Sequence, residues 1–373
     1  MKQIEELIEI SRKYGQDSRF VIAGGGNTSY KNRERLWVKA SGHALATISE
    51  DGFAVLDRAI LDRMGEKAYS PDTATREEQV RNDLAAACVT KDKRPSVETS
   101  LHNCMGFSFV VHLHPTLVNG LMCSVNAKAA CRELFPDALF IEYTDPGYTL
   151  FKKVHDRIKA RKAICGKEPQ VIFLQNHGIF VGADTTAEIE EIYSEVLGKI
   201  ASKVSGLPQG ESETPETANG IVSAIRRTLE LCDESPKALT VTNNALVSHF
   251  LDGRFDRIAK PFTPDIIVYC KSAYIFIDAE SDEEIPRQVE SKAKAFASEK
   301  GYFPKVLLIK RVGLITVGDS PRNARIISDV FTDAMKIAYF AGSFGGEHPM
   351  EQDWIDFIDG WEVENYRRKI ASE

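Results

Sequence analysis

Four residues have the types and the spacing of a metal site with a nearby base: Glu98, His112, His114 and His177. The run FVVHLHP is typical of a β-strand, and because side chains alternate across a strand, His112 and His114 share one face. Two imidazoles on a rigid strand are a natural pair of zinc ligands, and zinc normally takes a third. His177 supplies that ligand after the apolar run VIFLQ, and Glu98 is predicted to be the acid/base.

A second interpretation of these residues stays open from the sequence. A His-x-His pair on a strand without a partner is more often a polar pair on an edge strand, or a buried and hydrogen-bonded pair. His102 lies one helical turn after Glu98 and is interpreted as a residue that packs locally, outside the site. The presence of a third histidine and an upstream glutamate favours the metal site.

The elements that must position these residues alternate between strands and helices, which predicts an α/β fold. The expected helices are 1–15, 117–135, 148–162 and 186–204, with strands at 109–115, 139–143 and on both sides of Asn-His-Gly. The apolar runs 20–23 and 36–40 predict a hairpin with Gly-, Asn- and Ser-rich loops.

The glycine-rich segment of this hairpin could bind an anion. Three consecutive glycines end at Gly26 and are followed by Asn27, while Ser41 and Gly42 follow the second strand. Their backbone N–H groups could form an anion-binding nest, although a flexible turn explains the same residues. The segment is neither a Walker loop nor a Rossmann fingerprint, because no helix follows the glycines. Ser96 is expected to cap the helix that contains Glu98.

Composition narrows the class of protein. The chain has 373 residues with 43% hydrophobic and 27% charged residues, which is ordinary for a globular protein of two domains. A net charge of −7 argues against a general nucleic-acid binder. No run approaches the roughly 20 apolar residues that span a bilayer, and the N-terminus lacks a signal-peptide core. Seven cysteines without a Cys-x-x-Cys pair favour reduced thiols in a cytoplasm.

The chain is expected to contain four parts. They are a catalytic domain over 1–207, a linker and helix over 208–234, a smaller α/β domain over 235–345 and a helical tail over 346–373. Residues 306–338 echo residues 171–201 once one residue is inserted, and Arg311-Val312-Gly313 replaces Asn176-His177-Gly178. Further strands are predicted at Ile266–Cys270 and Ala273–Asp278. The smaller domain is therefore interpreted as a degenerate repeat without metal, with chance similarity as the alternative.

The motifs GGGNTS, VKASG, PSVE, HLH and NHG occur in the order and approximate spacing of the class II aldolase/adducin-like family, which the chain resembles. The more particular resemblance is to the aldolase part of bifunctional rhamnulose-1-phosphate aldolase/lactaldehyde dehydrogenase proteins. It implies a three-layer fold with a central, mainly antiparallel sheet between helices. It also implies Zn²⁺, or another divalent metal, on His112, His114 and His177, with Glu98 as the catalytic carboxylate.

The resemblance further assigns substrate phosphate binding to a set of residues in the two loops and before Glu98: Gly26, Asn27, Ser41, Gly42 and Ser96. One departure concerns Val97, where related aldolases often have a second serine, so that one phosphate hydrogen bond is missing. No residue matches the second proton donor, which in this family can come from a neighbouring subunit. A homo-oligomer is expected, with a tetramer favoured.

The resulting expectation is a cytoplasmic lyase that cleaves a ketose 1-phosphate, similar to rhamnulose or fuculose phosphate, into dihydroxyacetone phosphate and a short aldehyde. A sugar-phosphate epimerase or dehydratase on the same scaffold is one alternative. A non-catalytic adducin-like interaction module is the alternative from another class. The expected partner is a small phosphorylated sugar, with no nucleic acid and no membrane.

Overall fold

The computed structural model describes residues 1–210, 218–232, 238–279 and 281–360. They form two compact units: Met1–Met122 with Asn126–Val204, and Cys123–Val125 with the chain from Ser205 onward. Residues 211–217 of the expected linker, 235–237 of the expected smaller domain and 361–373 of the expected tail lie outside the described residues. The six cysteines whose side chains are described are all free thiols.

The first unit contains seven strands and eight helices. The strands are β1 (Asn27–Lys31), β2 (Arg35–Lys39), β3 (Phe53–Asp57), β4 (Phe109–Leu113), β5 (Leu139–Ile141), β6 (Val171–Leu174) and β7 (Gly178–Ala183). The helices are α1 (Lys2–Gly15), α2 (Arg58–Glu66), α3 (Thr73–Ala87), α4 (Thr99–Cys104), α5 (Thr116–Met122), α6 (Ala127–Leu134), α7 (Tyr148–Cys165) and α8 (Thr186–Ala201). Short 3₁₀ turns lie at Leu45–Thr47 and Glu50–Gly52.

One sheet of order β3-β2-β1-β4-β7-β6-β5 forms the middle layer of this unit. Neighbouring strands are antiparallel except β5 and β6, which are parallel. Helices α1, α5 and α8 contact one face, where the Tyr193 hydroxyl donates to the Val111 carbonyl at 3.1 Å. Helices α4 and α7 pack against Val110 and Phe180 on the other face. The expected three-layer fold with a mainly antiparallel sheet is confirmed.

Strand β4 is the middle strand of the sheet, and all five of its residues are buried. A strand covered on both faces is a continuous apolar run, and here the only polar residue in the run is His112. The strand ends at Leu113, so His112 lies within it and His114 directly after it; Pro115 comes next and cannot donate to the ladder. The predicted strand is therefore confirmed, but it ends two residues earlier than the expected 109–115.

Three sequence expectations for this unit need correction. The hairpin consists of β1 and β2, so the glycines precede its first strand instead of forming its loop. The sequence of β1 is polar, which is typical of a loop. In the structure, however, Asn27, Ser29 and Lys31 of this strand are buried. The expected helix 117–135 is two helices, α5 and α6. Ser96 is not the N-cap of α4; Glu98 occupies that position.

The second unit contains six helices and four strands among its described residues. They are α9 (Ala218–Cys232), β8 (Ala238–Thr242), α10 (Ala245–Leu251), α11 (Pro264–Cys270), β9 (Ile275–Ile277), α12 (Glu284–Lys300), β10 (Val306–Ile309), β11 (Gly313–Gly318), α13 (Pro321–Ala341) and α14 (Gln352–Gly360). Two 3₁₀ turns lie at Phe255–Ile258 and Gly342–Phe344. The sheet has the order β8-β11-β10-β9.

Ile266–Cys270 was expected as a strand and is part of helix α11. All five of its side chains are buried, so no period of the apolar pattern distinguishes a helix from a strand. The flanking residues decide the outcome, because Pro264 is pre-organised for the first helical turn and Asp265 complements the helix dipole. The expected strand at 273–278 is found as β9.

The four strands of the second unit have the order and directions of four strands in the first. Strands β8 and β11, and β11 and β10, are antiparallel, whereas β10 and β9 are parallel. The same relations join β4 to β7, β7 to β6, and β6 to β5. The two turns have the same length, because Gly178 pairs with Leu174 and Gly313 pairs with Ile309.

Candidate metal centre

The three histidines meet where the neighbouring strands β4 and β7 of the first sheet come to an end. His112 is the fourth residue of β4 and pairs with Phe180 of β7. His114 follows the end of β4, and His177 lies in the turn between β6 and β7. In that turn Asn176 has a φ of 54°, a left-handed conformation that Asn tolerates better than most residues. The turn therefore directs His177 toward the end of β4.

The three imidazoles converge. One ligand nitrogen from each of His112, His114 and His177 lies within 4.8 Å of the other two. The Nε2 atoms of His112 and His114 are 2.9 Å apart, and the rings of His114 and His177 have centroids 5.1 Å apart. We call these three residues the histidine centre.

The surroundings of His112 determine which nitrogen is available. Its Nδ1 lies 3.0 Å from the carbonyl oxygen of Ile179, which can only accept, so Nδ1 carries the proton and donates. The lone pair is then on Nε2, which faces the other two imidazoles. Phe180 stacks on the ring with a centroid distance of 4.0 Å and fixes its plane. His112 is fully buried, so neither contact competes with bulk water.

Glu98 reaches the same point from helix α4. Its Oε1 lies 3.1 Å from His112 Nε2 and 3.6 Å from His177 Nε2. Asn27 donates from Nδ2 to Oε2 at 3.3 Å. Burial raises the pKa of Glu98, but the positive charge that the neighbouring imidazoles carry when they are protonated outweighs burial and holds the pKa well below 4.5. The side chain is therefore a carboxylate at neutral pH, the form that accepts a proton.

This donor set fits a divalent metal such as zinc. Nitrogen ligands about 2.0–2.1 Å from a tetrahedral ion lie within roughly 4 Å of one another, and the histidine centre approaches that spacing. The backbone acceptor of His112 is the partner that metal-ligating histidines commonly have on their second nitrogen. Three neutral imidazoles would hold the ion, and Glu98 lies close enough to be a ligand or an acid/base.

The residues assigned to phosphate binding lie on segments that border this region. Asn27 is paired with His112 across β1 and β4, and a Cβ on Gly26 would lie 3.2 Å from the His112 carbonyl oxygen. Ser41 donates its backbone N–H to Arg94 at 3.0 Å, next to a bridge between Ala40 and Pro95.

The remaining two residues differ in exposure. Gly42 is exposed with a φ of 88°, and Ser96 is partly buried. The Ser96 hydroxyl accepts the Glu98 N–H at 3.2 Å. The structure thus joins the Ser41 segment to the segment before Glu98, and joins Asn27 directly to Glu98.

Sequence reasoning missed a buried polar group on the same face of the sheet. The Ser29 hydroxyl lies 2.8 Å from His102 Nδ1, and Lys31 donates from Nζ to the His102 carbonyl at 2.8 Å. Burial lowers the pKa of His102 to about 3 and that of Lys31 to about 7. The alternation of Asn27, Ser29 and Lys31 along β1 was the available signal, because alternate residues of a strand share a face.

Comparison with known proteins identifies the family of the first unit. Residues 5–196 match the family model described as the class II aldolase and adducin N-terminal domain. Among the described residues, no helix combines the length and apolar character needed to cross a lipid bilayer.

A relative from Bacillus subtilis (strain 168), named Uncharacterized oxidoreductase YuxG, is 24% identical over 424 residues. The alignment covers 99% of this chain and 59% of that protein, so the chain spans less than two thirds of its relative.

Two solved structures resemble about half of the chain. The N-terminal class II aldolase domain of a conserved protein from Thermoplasma acidophilum is 26% identical, covers 53% of this chain and 92% of that one, and has a TM-score of 0.47. An L-fuculose 1-phosphate aldolase is 19% identical, covers 53% and 83%, and has a TM-score of 0.36.

Proposed function

This chain belongs to the class II aldolase and adducin family, and on that premise we propose that it is a metal-dependent aldolase. The proposed reaction cleaves a ketose 1-phosphate, similar to rhamnulose or fuculose phosphate, into dihydroxyacetone phosphate and a short aldehyde such as lactaldehyde. The observation that carries the proposal is the convergence of three imidazole nitrogens and the Glu98 carboxylate at one edge of the sheet. A purely structural module has no need for this arrangement.

The histidine centre would hold the metal through one nitrogen of each ring. When bound, the ion would supply Lewis-acid polarisation of the substrate's oxygen atoms, where negative charge develops. Neutral imidazoles suit this purpose because they leave the positive charge of the ion undiminished. The hydrogen bond from His112 Nδ1 to the Ile179 carbonyl orients the ring so that Nε2 is available to the ion.

Glu98 is proposed to move the proton. Its Oε1 faces the histidine centre, and its Oε2 accepts from Asn27, so the carboxylate has a defined direction. As a carboxylate it can take a proton from a substrate hydroxyl or carbon, and as the acid it can return that proton to the carbon left after bond cleavage.

Substrate phosphate is proposed to bind at Gly26, Asn27, Ser41, Gly42 and Ser96. Holding a non-reacting phosphate fixes the reacting end of the substrate relative to Glu98, which is an orientation effect. Support comes from the pairing of Asn27 with His112 and from the backbone contact between Ser41 and Arg94. The test is kcat/KM for a ketose against its 1-phosphate, with a clear preference for the phosphate expected. Equal values would contradict this assignment.

The experiment that tests the proposed reaction is a panel of ketose 1-phosphates with coupled detection of dihydroxyacetone phosphate. Release of dihydroxyacetone phosphate from at least one member is expected. A product that keeps all its carbons would instead indicate an epimerase or a dehydratase on this scaffold. A metal-free protein without turnover would indicate a non-catalytic interaction module. We further propose a cytoplasmic homo-oligomer, with a tetramer favoured, that binds neither nucleic acid nor membrane.

A further inference from the structure

The second unit has a cavity beside the turn between β10 and β11. Its volume is about 190 Å³, and the side chains that matter for its chemistry are Asn243, Ser248, Asp252, Lys310 and Arg311. This volume is below the roughly 300–1,000 Å³ of sites for drug-sized ligands, but equals that of about six liquid water molecules. It therefore suits a small polar molecule.

The cavity occupies the position in the second sheet that the histidine centre occupies in the first. Thr242 pairs with Leu314 as Leu113 pairs with Ile179, so Asn243 follows β8 where His114 follows β4. Val312 lies before the paired glycine of β11 as His177 does before that of β7. The turn between β10 and β11 therefore has the backbone of the turn between β6 and β7, with different side chains.

The backbone of the two turns agrees to the level of single hydrogen bonds. Lys310 donates its N–H to Ile277 at 3.0 Å, as Gln175 does to Ile141 at 3.0 Å. Arg311 has a φ of 75°, in the left-handed region where Asn176 also lies.

A left-handed conformation is uncommon for a residue with a long side chain. Its retention at Arg311 directs a guanidinium group to the border of the cavity. The position is thus occupied by a cation at a conformational cost that Asn or Gly would reduce.

The cations of the cavity have partners that a ligand can replace. Lys310 Nζ lies 2.9 Å from Asp278, and Arg311 lies 3.3 Å from Asp282, while both basic side chains are about half exposed. Exposed ion pairs of this kind contribute little to stability, so exchanging a carboxylate for a phosphate costs little. Lys310 and Arg311 are consecutive residues that both line the cavity, and together they offer two positive charges to a phosphate group, which Arg can bind through two parallel hydrogen bonds.

We propose that this cavity is a second binding site, specific for the phosphate monoester of a small polyol. Lys310 and Arg311 bind the phosphate, and Asn243, Ser248 and Asp252 bind the hydroxyl groups. Asp252 favours a hydroxyl-bearing ligand over inorganic phosphate, because its carboxylate can accept hydrogen bonds from the hydroxyl groups of the polyol. This proposal does not depend on the proposed aldolase reaction. Asn243 and Val312 stand where the first unit has His114 and His177, so the cavity has none of the proposed metal ligands.

Hydrogen–deuterium exchange of the full chain with glycerol 1-phosphate as the probe tests this site. At a probe concentration about ten times Kd, exchange by local opening is expected to slow roughly tenfold in peptides covering 243–252 and 306–313. The variant Lys310→Gln/Arg311→Asn should abolish this protection. It introduces the residues found at Gln175 and Asn176, and Asn tolerates the left-handed conformation, so the turn should persist.

A matched control removes the same two charges elsewhere in the second unit. Arg287→Gln/Lys300→Gln, at exposed positions of α12, should leave the protection unchanged. His177→Ala should also leave it unchanged, which separates this site from the proposed catalytic one. Equal protection by glycerol alone, equal loss in the α12 control, or protection confined to peptides of the first unit would each overturn the proposal.

Discussion

The turn between β6 and β7 and the turn between β10 and β11 share a backbone and differ in chemistry. Each begins after a buried strand, passes through a left-handed residue and ends at a glycine paired with the preceding strand. The first presents His177 beside two further histidines, whereas the second presents Val312, with Val241 and Asn243 at the other two positions. Three side chains therefore decide whether this backbone offers a metal site.

The neighbours of the central strand differ as well. In the first unit β4 pairs with β1, which contributes Asn27, and α4 contributes Glu98 from one side. In the second unit, within the part of the chain that the structure describes, β8 pairs with β11 alone. The comparison shows that the acid/base depends on the extra hairpin and its helix, while the ligand positions depend on the shared strands.

Replacing the acid/base should produce the largest effect on turnover. Glu98→Gln keeps a side chain of the same shape but cannot exchange a proton, so a loss of roughly 10²–10⁴-fold in kcat is expected with the metal retained. Glu142→Gln, at a partly exposed carboxylate paired with Lys128, is the control and should turn over normally. Wild-type turnover of Glu98→Gln on the best substrate would make Glu98 a bystander.

The two paired glycines offer a direct test of the shared backbone. A Cβ on Gly178 or on Gly313 would lie 2.5 Å from a backbone oxygen, that of Leu113 or of Thr242. Each Gly→Ala change should therefore cost about 1–3 kcal/mol by overpacking. Gly313 also has a φ of 126°, so strain on the order of 1–3 kcal/mol should add to the cost there.

The functional consequences of these two changes should differ. A Cβ on Gly178 would approach the His114 ring to 2.8 Å, so Gly178→Ala should weaken metal binding, and Gly313→Ala should not. Urea unfolding followed by metal analysis measures both effects. Equal metal loss in the two variants would show that the turns do not differ as described.

The sequence predicted the elements that have an unusual residue pattern. It did not predict elements whose burial depends on long-range packing or whose residues are all apolar. His112 interrupts an apolar strand and is followed by Pro115, so the strand and its histidines could be predicted together. Strand β1 was missed because its polar residues are buried against α4, a long-range packing that local sequence does not encode. Helix α11 was misread because a fully buried apolar run has no period to read.

The pH dependence of stability should differ between the two units. His102 is fully buried and neutral with a pKa of about 3, whereas its value in the unfolded chain is near 6.5. Between these values the unfolded chain binds the proton and the folded chain does not. The contribution of His102 to stability is therefore fully present above about pH 6.5 and is lost toward pH 3, with a slope of up to ~1.4 kcal/mol per pH unit from this residue.

His249 of the second unit is only partly buried, so burial lowers its pKa without removing the ring fully from water. Hydrogen exchange during acid titration should thus show earlier opening in the first unit. His102→Gln, which can still bond the Ser29 hydroxyl, should reduce the slope by about one proton. An unchanged slope in this variant would mean that another group causes the acid sensitivity.

Metal content of the purified protein tests the central claim most directly, with the mirrored variants His177→Ala and Val312→Ala. Wild type is expected to hold about one divalent ion per chain, since three imidazoles are enough for one site. His177→Ala should lose most of the ion, because two imidazoles bind it poorly, and Val312→Ala should keep it. Full occupancy in His177→Ala, or loss in Val312→Ala alone, would contradict the histidine centre.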